Sequence, residues 1–217
     1  MEEEMTMSIY TDISAALQKG RAKIVKQLIE QALAEGAKPQ EIIENALLDG
    51  MSIVGEKFKN NEVFVPEVLI AARAMNAGMD LLKTHMAADG LETKGTAVLG
   101  TVKGDLHDIG KNLVKIMMEG KGLKVIDLGV DVSAEKFVAA AIENQANLIC
   151  CSALLTTTMG EMKAVVDLCT EKGIRDQVKI MIGGAPVTQS FCDSIGADCY
   201  TSDAASASDA ALAYCKG

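Results

Sequence analysis

Two patterns of apolar residues divide the chain near residue 90. Before that point, apolar residues recur every three or four positions, which is the spacing of one buried face of a helix. After it, short apolar runs alternate with helix-like stretches, and glycines separate many of them. The first pattern predicts a small helical bundle. The second predicts a parallel sheet, because strands that alternate with helices along a chain pair in parallel.

Four helices are predicted between residues 8 and 89. The first ends at Gly20, the second ends at Gly36 and the third begins at Pro39, because glycine favours helix ends and proline favours the first helical turn. The apolar faces of the second and fourth helices are expected to comprise Ile24, Leu28 and Ala32, and Leu69, Ala72, Met75, Met79 and Leu82, respectively.

Five strands are predicted in the second half of the chain. Their sequences, in order, are TAVLGTV, KVIDLG, NLICCS, VKIMIGG and ADCYTS. The fold class is therefore α/β: an N-terminal four-helix bundle followed by a doubly wound, Rossmann-like sheet of five parallel strands. The linker is expected near residues 88–95, so that the helical domain spans residues 1–91 and the sheet domain spans residues 92–217.

Composition narrows the class of protein. The 217 residues are 49% hydrophobic but only 3% aromatic, which predicts an aliphatic core of ample size. A net charge of −9 argues against nucleic acid as a partner, since that role needs a basic face. No membrane association is expected, because no apolar run approaches the roughly 20 residues that span a bilayer.

The acidic N-terminus differs from the basic start of a signal peptide, so a cytoplasmic location is expected. The six cysteines lack the CxxC spacing of zinc sites and are expected to be reduced and mostly buried.

The loop after the first strand contains one of only two histidines in the chain. Its sequence, GDLHDIG, fills residues 104–110, and loops at this edge of a parallel sheet bind ligands. A dinucleotide fingerprint does not fit, because bulky residues replace its second glycine. A P-loop does not fit either, since five residues separate the glycines and Asn112 follows Lys111 where serine or threonine is needed. A receiver-type phosphorylation domain would use Asp105 and Asp108 but would leave His107 unexplained.

Two interpretations of His107 remain on spacing alone. In the first, His107 is a metal ligand or a base. The carboxylate of Asp105 would then hold the proton of one ring nitrogen and leave the other nitrogen available to a metal. Gly110 would allow a large group to approach the start of the next helix. In the second interpretation, this is a surface loop with an incidental histidine.

Three motifs, taken together, resemble those of cobalamin-binding proteins. DLHDIGKN contains the D-x-H-x-x-G motif, SALLTTT after the third strand is similar to their S-x-L motif, and GGA after the fourth is similar to their glycine pair. In the helical half, EKFKNNEVFVPEVLIAARAM resembles the cap module in front of the corrinoid domain of cobalamin-dependent methionine synthase. The resemblance covers nearly the whole chain. It is greatest to the stand-alone corrinoid proteins of methyltransferase systems, which serve methanol, methylamines and betaines.

The resemblance implies a role for the histidine loop. His107 would be the lower axial ligand of cobalt, in place of the cofactor's own dimethylbenzimidazole. Asp105 would bond to His107, and Thr158 would complete a relay in which methionine synthase has a serine. The cofactor-binding positions implied around the loop are Gly104, Asp105, Leu106, His107, Asp108, Ile109 and Gly110.

Further positions are implied beyond that loop. Ser152 and Leu154, with Thr156 nearby, would line a slot for the nucleotide tail of the cofactor. Gly183 and Gly184 would let that tail pass between the strand ends. In the helical domain, Phe58 and Val65 would cover the upper face of the cobalt, although simple bundle core is the alternative for both. Val65 is smaller than the leucine usual in the family.

The resemblance also implies a function as a methyl carrier rather than a complete enzyme. The cofactor would be cobalamin or another corrinoid, whose cobalt(I) accepts a methyl group and becomes methylcobalamin. The donor would be a methylated amine or betaine, presented by a substrate-specific methyltransferase. A second methyltransferase, with tetrahydrofolate or a thiol as acceptor, would take the methyl group, and a corrinoid reductive activase would restore oxidised cobalt. The alternatives are the cobalamin-binding subunit of an adenosylcobalamin mutase and a cobalamin-dependent sensor.

Overall fold

The chain divides into two compact units, Met1–Glu92 and Thr93–Gly217. The computed structural model describes residues 2–83, 85 and 93–216. Part of the expected linker, residues 88–92, lies outside the described residues. Among the described residues, no helix is both long and apolar enough to cross a membrane.

The first unit is helical. Its helices are α1 (Glu2–Gln18), α2 (Ala22–Ala34), α3 (Pro39–Ile42), α4 (Asp49–Lys59) and α5 (Val65–Lys83), with a π-helical segment, Ile43–Leu48, between α3 and α4. The backbone stays in the right-handed helical region at both junctions of that segment, so α3 to α4 is one continuous helical stretch. The four predicted helical stretches are confirmed. The first begins at Glu2, earlier than the predicted residue 8.

The predicted buried face of α2 was right at Ala32 but wrong by one position at Ile24 and Leu28. Val25, Ile29 and Ala32 are fully buried, whereas Ile24 is 38% exposed. The cause lies in α5, where Gly78 allows close approach: a Cβ there would lie 2.9 Å from Cδ1 of Ile29. Adjacent apolar residues permit two helix faces, and the glycine of the partner helix selects one of them.

The face predicted for α5 is right except at its start. Ala72, Met75 and Leu82 are buried and Met79 is partly buried, as expected. Leu69 is 46% exposed, and its neighbour Val68 is buried instead. The run Val-Leu-Ile at the start of α5 offers three apolar residues in succession, so the sequence alone does not determine which of them faces the core.

The second unit is a doubly wound parallel sheet. Its strands are β1 (Thr96–Thr101), β2 (Lys124–Asp127), β3 (Leu148–Ser152), β4 (Lys179–Gly183) and β5 (Cys199–Tyr200). The intervening helices are α6 (Ile109–Glu119), α7 (Ala134–Glu143), α8 (Gly160–Glu171), α9 (Gln189–Ile195) and α10 (Ala204–Lys216). The strand order is β2-β1-β3-β4-β5, with every pair parallel, which confirms the predicted fold class. β5 is shorter than ADCYTS suggested, because only Cys199 and Tyr200 pair with β4.

Helices cover both faces of this sheet. Alternate residues of β1 point to opposite sides: Val98 packs in a cluster with Phe137, whereas Leu99 packs in a second cluster with Met118 and Ala211. The core is aliphatic, as the composition predicts. All six cysteines are free thiols and four of them are buried, which confirms the expectation of mostly buried cysteines. Burial raises the pKa of the Cys150 thiol to about 12.

Candidate functional site

The three sequence motifs meet at the carboxyl edge of the sheet. Thr101 at the end of β1 pairs with Ser152 at the end of β3, and Ser152 pairs with Gly183 at the end of β4. Because the strands are parallel and in register, the loops that follow them leave the sheet side by side. The strand order reverses between β1 and β3, since β2 lies on one side of β1 and β3 on the other, and ligands of doubly wound sheets bind at such a switch point.

The carboxylate of Asp105 is the centre of this edge. The side chain is fully buried. Its Oδ1 accepts hydrogen bonds from the backbone N–H of His107 at 3.0 Å and from the ring Nδ1 of His107 at 2.7 Å. Its Oδ2 accepts from the backbone N–H groups of Leu154 and Leu155, at 2.8 and 3.1 Å, and from Oγ1 of Thr158 at 3.0 Å. One carboxylate therefore joins the loop after β1 to the loop after β3.

These contacts keep Asp105 ionised. Burial alone would raise the pKa of its carboxyl group. The hydrogen bonds from the backbone and ring of His107, from the N–H of Leu154 and from the hydroxyl of Thr158 outweigh burial and hold the pKa of Asp105 well below its usual range. An ionised carboxylate can only accept hydrogen bonds, so the proton of a neutral His107 ring lies on Nδ1. The other nitrogen, Nε2, then carries a lone pair that can bind a metal.

The surroundings of His107 suit a large, mainly apolar ligand. The His107 side chain is 51% exposed. Exposed apolar side chains occupy the same two loops: Leu106, Ile109, Leu154 and Leu155. Gly110 adds open space, since a Cβ built there would meet nothing within 4 Å. These residues therefore fit the corrin ring that the sequence motifs imply, with an imidazole nitrogen available for its cobalt.

Thr158 lies where the sequence predicted a hydroxyl partner of Asp105. The residue is buried, and its Oγ1 is also 2.9 Å from the backbone oxygen of Leu155. One hydroxyl proton serves one acceptor at a time, and the charged carboxylate is the stronger acceptor. The structure thus brings His107, Asp105 and Thr158 into one hydrogen-bonded chain. Ser152 is partly buried at the end of β3, and Thr156 is exposed in the loop that follows it.

The two glycines after β4 have different surroundings. Gly184 has a φ of +131°, and a Cβ there would lie 1.8 Å from the backbone oxygen of Ala153. A side chain at this position would collide with the loop after β3, whether or not a ligand is present. Gly183 is less constrained, since the nearest atom to its Cβ would be the backbone oxygen of Thr201 at 3.8 Å.

Two residues at this edge were not singled out from the sequence. Thr101 is fully buried, and its hydroxyl donates to the backbone oxygen of His107 at 2.8 Å. Asp131, in the loop after β2, accepts from the N–H of Gly104 at 2.7 Å and donates its own N–H to the backbone oxygen of Asp105 at 3.0 Å. A polar residue at the end of an apolar strand was the available signal for Thr101. Asp131 has no local signal, because it reaches the site from another strand.

A buried ion pair lies behind the loop, at the start of α6. Lys111 is only 3% exposed, and its Nζ is 2.7 Å from Oδ1 of Asp127 at the end of β2. The same Nζ donates to Oδ1 of Asn112 at 2.7 Å. Although burial opposes it, the hydrogen bond from Lys111 lowers the pKa of Asp127. The pair fixes the first turn of α6 to the neighbouring strand.

In the helical unit, the two predicted cap residues lie close together in sequence across the α4–α5 turn. Phe58 is in the last turn of α4, and Val65 is the first residue of α5. Both are partly buried. Phe64, next to Val65, is 63% exposed.

Comparison with known protein families places both units in one class of protein. A family model described as a B12 binding domain matches residues 95–212, and a second model with the same description matches residues 9–83. The histidine loop, the buried carboxylate and the helical unit therefore belong to a cobalamin-binding protein of two domains.

Individual relatives narrow that class. The chain is 48% identical over 180 residues to trimethylamine corrinoid protein 1 of Methanosarcina acetivorans, covering 82% of this chain and 83% of that protein. It is 45% identical over 198 residues to dimethylamine corrinoid protein 1 of Methanosarcina mazei, covering 90% and 91%. The chain therefore belongs to the family of corrinoid proteins, and its cofactor is cobalamin or a related corrinoid.

Solved structures agree with this assignment. A crystal structure of the methanol:cobalamin methyltransferase complex MtaBC from Methanosarcina barkeri matches with a TM-score of 0.89 and 34% identity, over 97% of this chain and 80% of that one. A cobalamin-binding protein from Desulfitobacterium hafniense matches with a TM-score of 0.79 and 31% identity, over 94% and 98%.

Proposed function

We propose that this chain is the methyl carrier of a corrinoid-dependent methyltransferase system for methylated amines. The observation that carries the proposal is the contact between His107 and Asp105. Nδ1 of the imidazole lies 2.7 Å from a buried carboxylate oxygen, which leaves Nε2 for axial ligation of cobalt. Identity of 45–48% to proteins named for dimethylamine and trimethylamine favours amines over methanol, for which the matching complex is 34% identical. Betaines, which are also methylated amines, remain within the proposed donor class.

A bound corrinoid supplies a cobalt atom that accepts and releases a methyl group. Nε2 of His107 would hold that cobalt as a ligand. Asp105 holds the proton at Nδ1 and orients the ring, because its Oδ1 accepts hydrogen bonds from both the backbone N–H and the ring of His107. The charge of Asp105, supported by the hydrogen bond from Thr158, would stabilise a positive charge on the imidazole.

The remaining loops are proposed to hold the rest of the cofactor. Leu106, Asp108, Ile109 and Gly110 would contact the corrin ring, and Gly104 would form the start of that surface. Ser152, Leu154 and Thr156 would line the slot for the nucleotide tail, with Gly183 and Gly184 on its other side. The registered ends of β1, β3 and β4 support this arrangement.

The helical unit is proposed to be a cap that protects the upper face of the cobalt. Phe58 and Val65 would provide the contact, since each has part of its side chain accessible in this unit. We place the boundary between cap and corrinoid domain after residue 91. The cap must move aside for methyl transfer, as lids do in many enzymes.

Methyltransferases are the partners that the family indicates. We propose a substrate-specific methyltransferase that loads the carrier and a second one, with tetrahydrofolate or a thiol as acceptor, that unloads it. A reductive activase would return oxidised cobalt to the active state. The similar solved structure, MtaBC, is a methyltransferase complex, which supports a substrate-specific methyltransferase as a partner.

A transfer assay tests the proposal. The protein is loaded with hydroxocobalamin, reduced, and mixed separately with methyltransferases for monomethylamine, dimethylamine, trimethylamine, glycine betaine and methanol, each with its substrate. We expect the methylcobalamin absorption spectrum with one of the amine or betaine enzymes. Methylation only from methanol would overturn the donor class. Retention of adenosylcobalamin without methylation by any of the enzymes would favour the mutase subunit or the sensor.

A further inference from the structure

Thr101 is the last residue of the central strand β1, and the sheet holds it on both sides. It is fully buried and pairs with Ser152 of β3. On its other side, its N–H donates to the backbone oxygen of Gly129 at 3.0 Å, and its carbonyl accepts the N–H of Val132 at 3.0 Å. Its backbone is therefore hydrogen-bonded toward two neighbouring segments of the sheet.

The hydroxyl of Thr101 reaches across the base of the histidine loop. Oγ1 donates to the backbone oxygen of His107 at 2.8 Å, six residues further along the chain. This bond closes the segment 101–107 into a ring. The loop inside that ring carries Asp105, whose side chain bonds to His107 within the loop and to the loop after β3.

His107 is consequently held at three points. Its N–H and its Nδ1 both bond to Asp105, at 3.0 and 2.7 Å, and its carbonyl bonds to Thr101. The two bonds to Asp105 set the ring's orientation relative to the loop. The bond to Thr101 joins the His107 backbone directly to the end of β1.

We propose that Thr101 is a positioning residue for His107, whose hydroxyl sets how far the imidazole stands from the edge of the sheet. The inference rests on the proposed role of His107 as the axial cobalt ligand. A metal–nitrogen bond is short and directional, so a small displacement of the His107 backbone weakens it. Hydrogen-bond partners of metal-ligating histidines typically change affinity or activity about 10–100-fold when they are replaced. Thr101 acts one step further away, through the main chain, so the expected effect is about tenfold.

Three substitutions separate the hydroxyl from the shape of the residue. Thr101→Ser keeps the hydroxyl, Thr101→Ala removes it, and Thr101→Val removes it while keeping the branched shape. Ser208→Ala is a matched control in the same unit. Ser208 is also fully buried, and its Oγ donates to a backbone carbonyl, that of Ala205, at 2.8 Å. It lies in α10, and its hydroxyl bonds within that helix.

The readout is the cobalt(II) paramagnetic resonance spectrum of the full-length protein loaded with cobalamin, together with the dissociation constant for hydroxocobalamin. Wild type, Thr101→Ser and Ser208→Ala should show nitrogen coupling from His107 in nearly all molecules. Thr101→Ala and Thr101→Val should show a reduced fraction of histidine-ligated cobalt and about tenfold weaker binding. If Thr101→Val does not fold, the serine and alanine variants still differ by one hydroxyl and decide the question.

The outcomes distinguish this inference from the proposed function. Absence of imidazole coupling in the wild type would remove the axial role of His107 and the inference with it. Coupling in the wild type and equal spectra and affinities in Thr101→Ser and Thr101→Ala would overturn the role of Thr101 alone. A loss in Ser208→Ala as large as in Thr101→Ala would also overturn it, because the effect would then follow from lost stability.

Discussion

Oδ1 of Asp105 accepts two hydrogen bonds from one residue, the backbone N–H and the ring Nδ1 of His107. The backbone bond holds the carboxylate and the histidine in a fixed turn, and the ring bond fixes the tautomer. Because the other oxygen is occupied by the loop after β3, the carboxylate cannot rotate away without losing all five contacts. The imidazole is therefore oriented before a corrinoid arrives.

Replacing His107 tests the axial ligand directly. His107→Ala should keep the fold, since the side chain is half exposed, but should bind corrinoid more weakly and lose imidazole coupling in the cobalt(II) spectrum. His85, the other histidine, is exposed, and His85→Ala is the control that should leave the spectrum unchanged. Coupling that persists in His107→Ala, or that comes from dimethylbenzimidazole in the wild type, contradicts the assignment.

Asp105→Asn should change how stability depends on pH. The folded pKa of Asp105 lies below its unfolded value of about 3.9. The ionised carboxylate therefore stabilises the folded state above pH of about 4, and this contribution is lost as the pH falls through the folded pKa. In the asparagine variant the amide nitrogen cannot accept hydrogen bonds, so some donors stay unsatisfied at a cost of about 1–3 kcal/mol.

Urea unfolding of the corrinoid-free protein between pH 7 and pH 3 measures this effect. The stability difference between wild type and Asp105→Asn should narrow as the pH falls below about 4, where the unfolded carboxyl group begins to bind a proton. Asp167→Asn is the control, since that carboxylate forms an exposed pair with Lys163 and should matter little. A difference that is independent of pH would mean that Asp105 shapes the loop without bearing a charge.

Thr158→Val should change the midpoint potential of cobalt and its pH slope in the same direction as Asp105→Asn, but more weakly. The substitution removes one of the five hydrogen bonds to the ionised carboxylate and leaves the four N–H donors in place. Thr158→Ser keeps the hydroxyl and should restore the contact with Asp105 at Oδ2. The midpoint potential of cobalt and its pH slope, measured by spectroelectrochemistry, provide the comparison. Equal values for the valine and serine variants would exclude a hydroxyl role in the relay.

Most of the fold follows from local patterns in the sequence. The alternation of apolar runs and helical stretches predicts the parallel sheet, and the three motifs predict which strand ends carry the site. The register that aligns Thr101, Ser152 and Gly183 then follows from the parallel pairing. Asp105 and His107 are two residues apart, so their contact could be anticipated from spacing alone.

What the sequence could not predict depends on contacts between distant segments. The buried face of α2 is selected by Gly78 in α5, and the position of Asp131 beside Gly104 is set by pairing of β2 with β1. The strict need for glycine at 184 also arises this way, from the backbone of Ala153. A pattern within one segment contains no information about which atoms another segment will place against it.

A fragment beginning at Lys94 tests whether the helical unit is a cap. The sheet unit has its own core on both faces, so this fragment should fold and should still bind corrinoid. Its cobalt(I) should be oxidised by oxygen faster than in the full chain, because the proposed upper cover is missing. Phe58→Ala in the full chain should show part of this effect. Equal oxidation rates for the fragment and the full chain would exclude a protective role for Phe58 and its neighbours.

Gly184→Ala and Gly110→Ala should affect different properties of the protein. The first should lower its stability, and the second should weaken corrinoid binding. Gly184→Ala should be strongly destabilising, because its Cβ would lie 1.8 Å from the oxygen of Ala153 and the φ of +131° disfavours any side chain.

Gly110→Ala should leave the corrinoid-free protein as stable as wild type or up to about 1 kcal/mol more stable, since alanine favours helices. Its Cβ meets no protein atom within 4 Å, so only a ligand can be obstructed. Thermal unfolding without cofactor and titration with hydroxocobalamin together separate the two effects. Unchanged corrinoid affinity in Gly110→Ala would show that the space beside the start of α6 is not where the corrin ring binds.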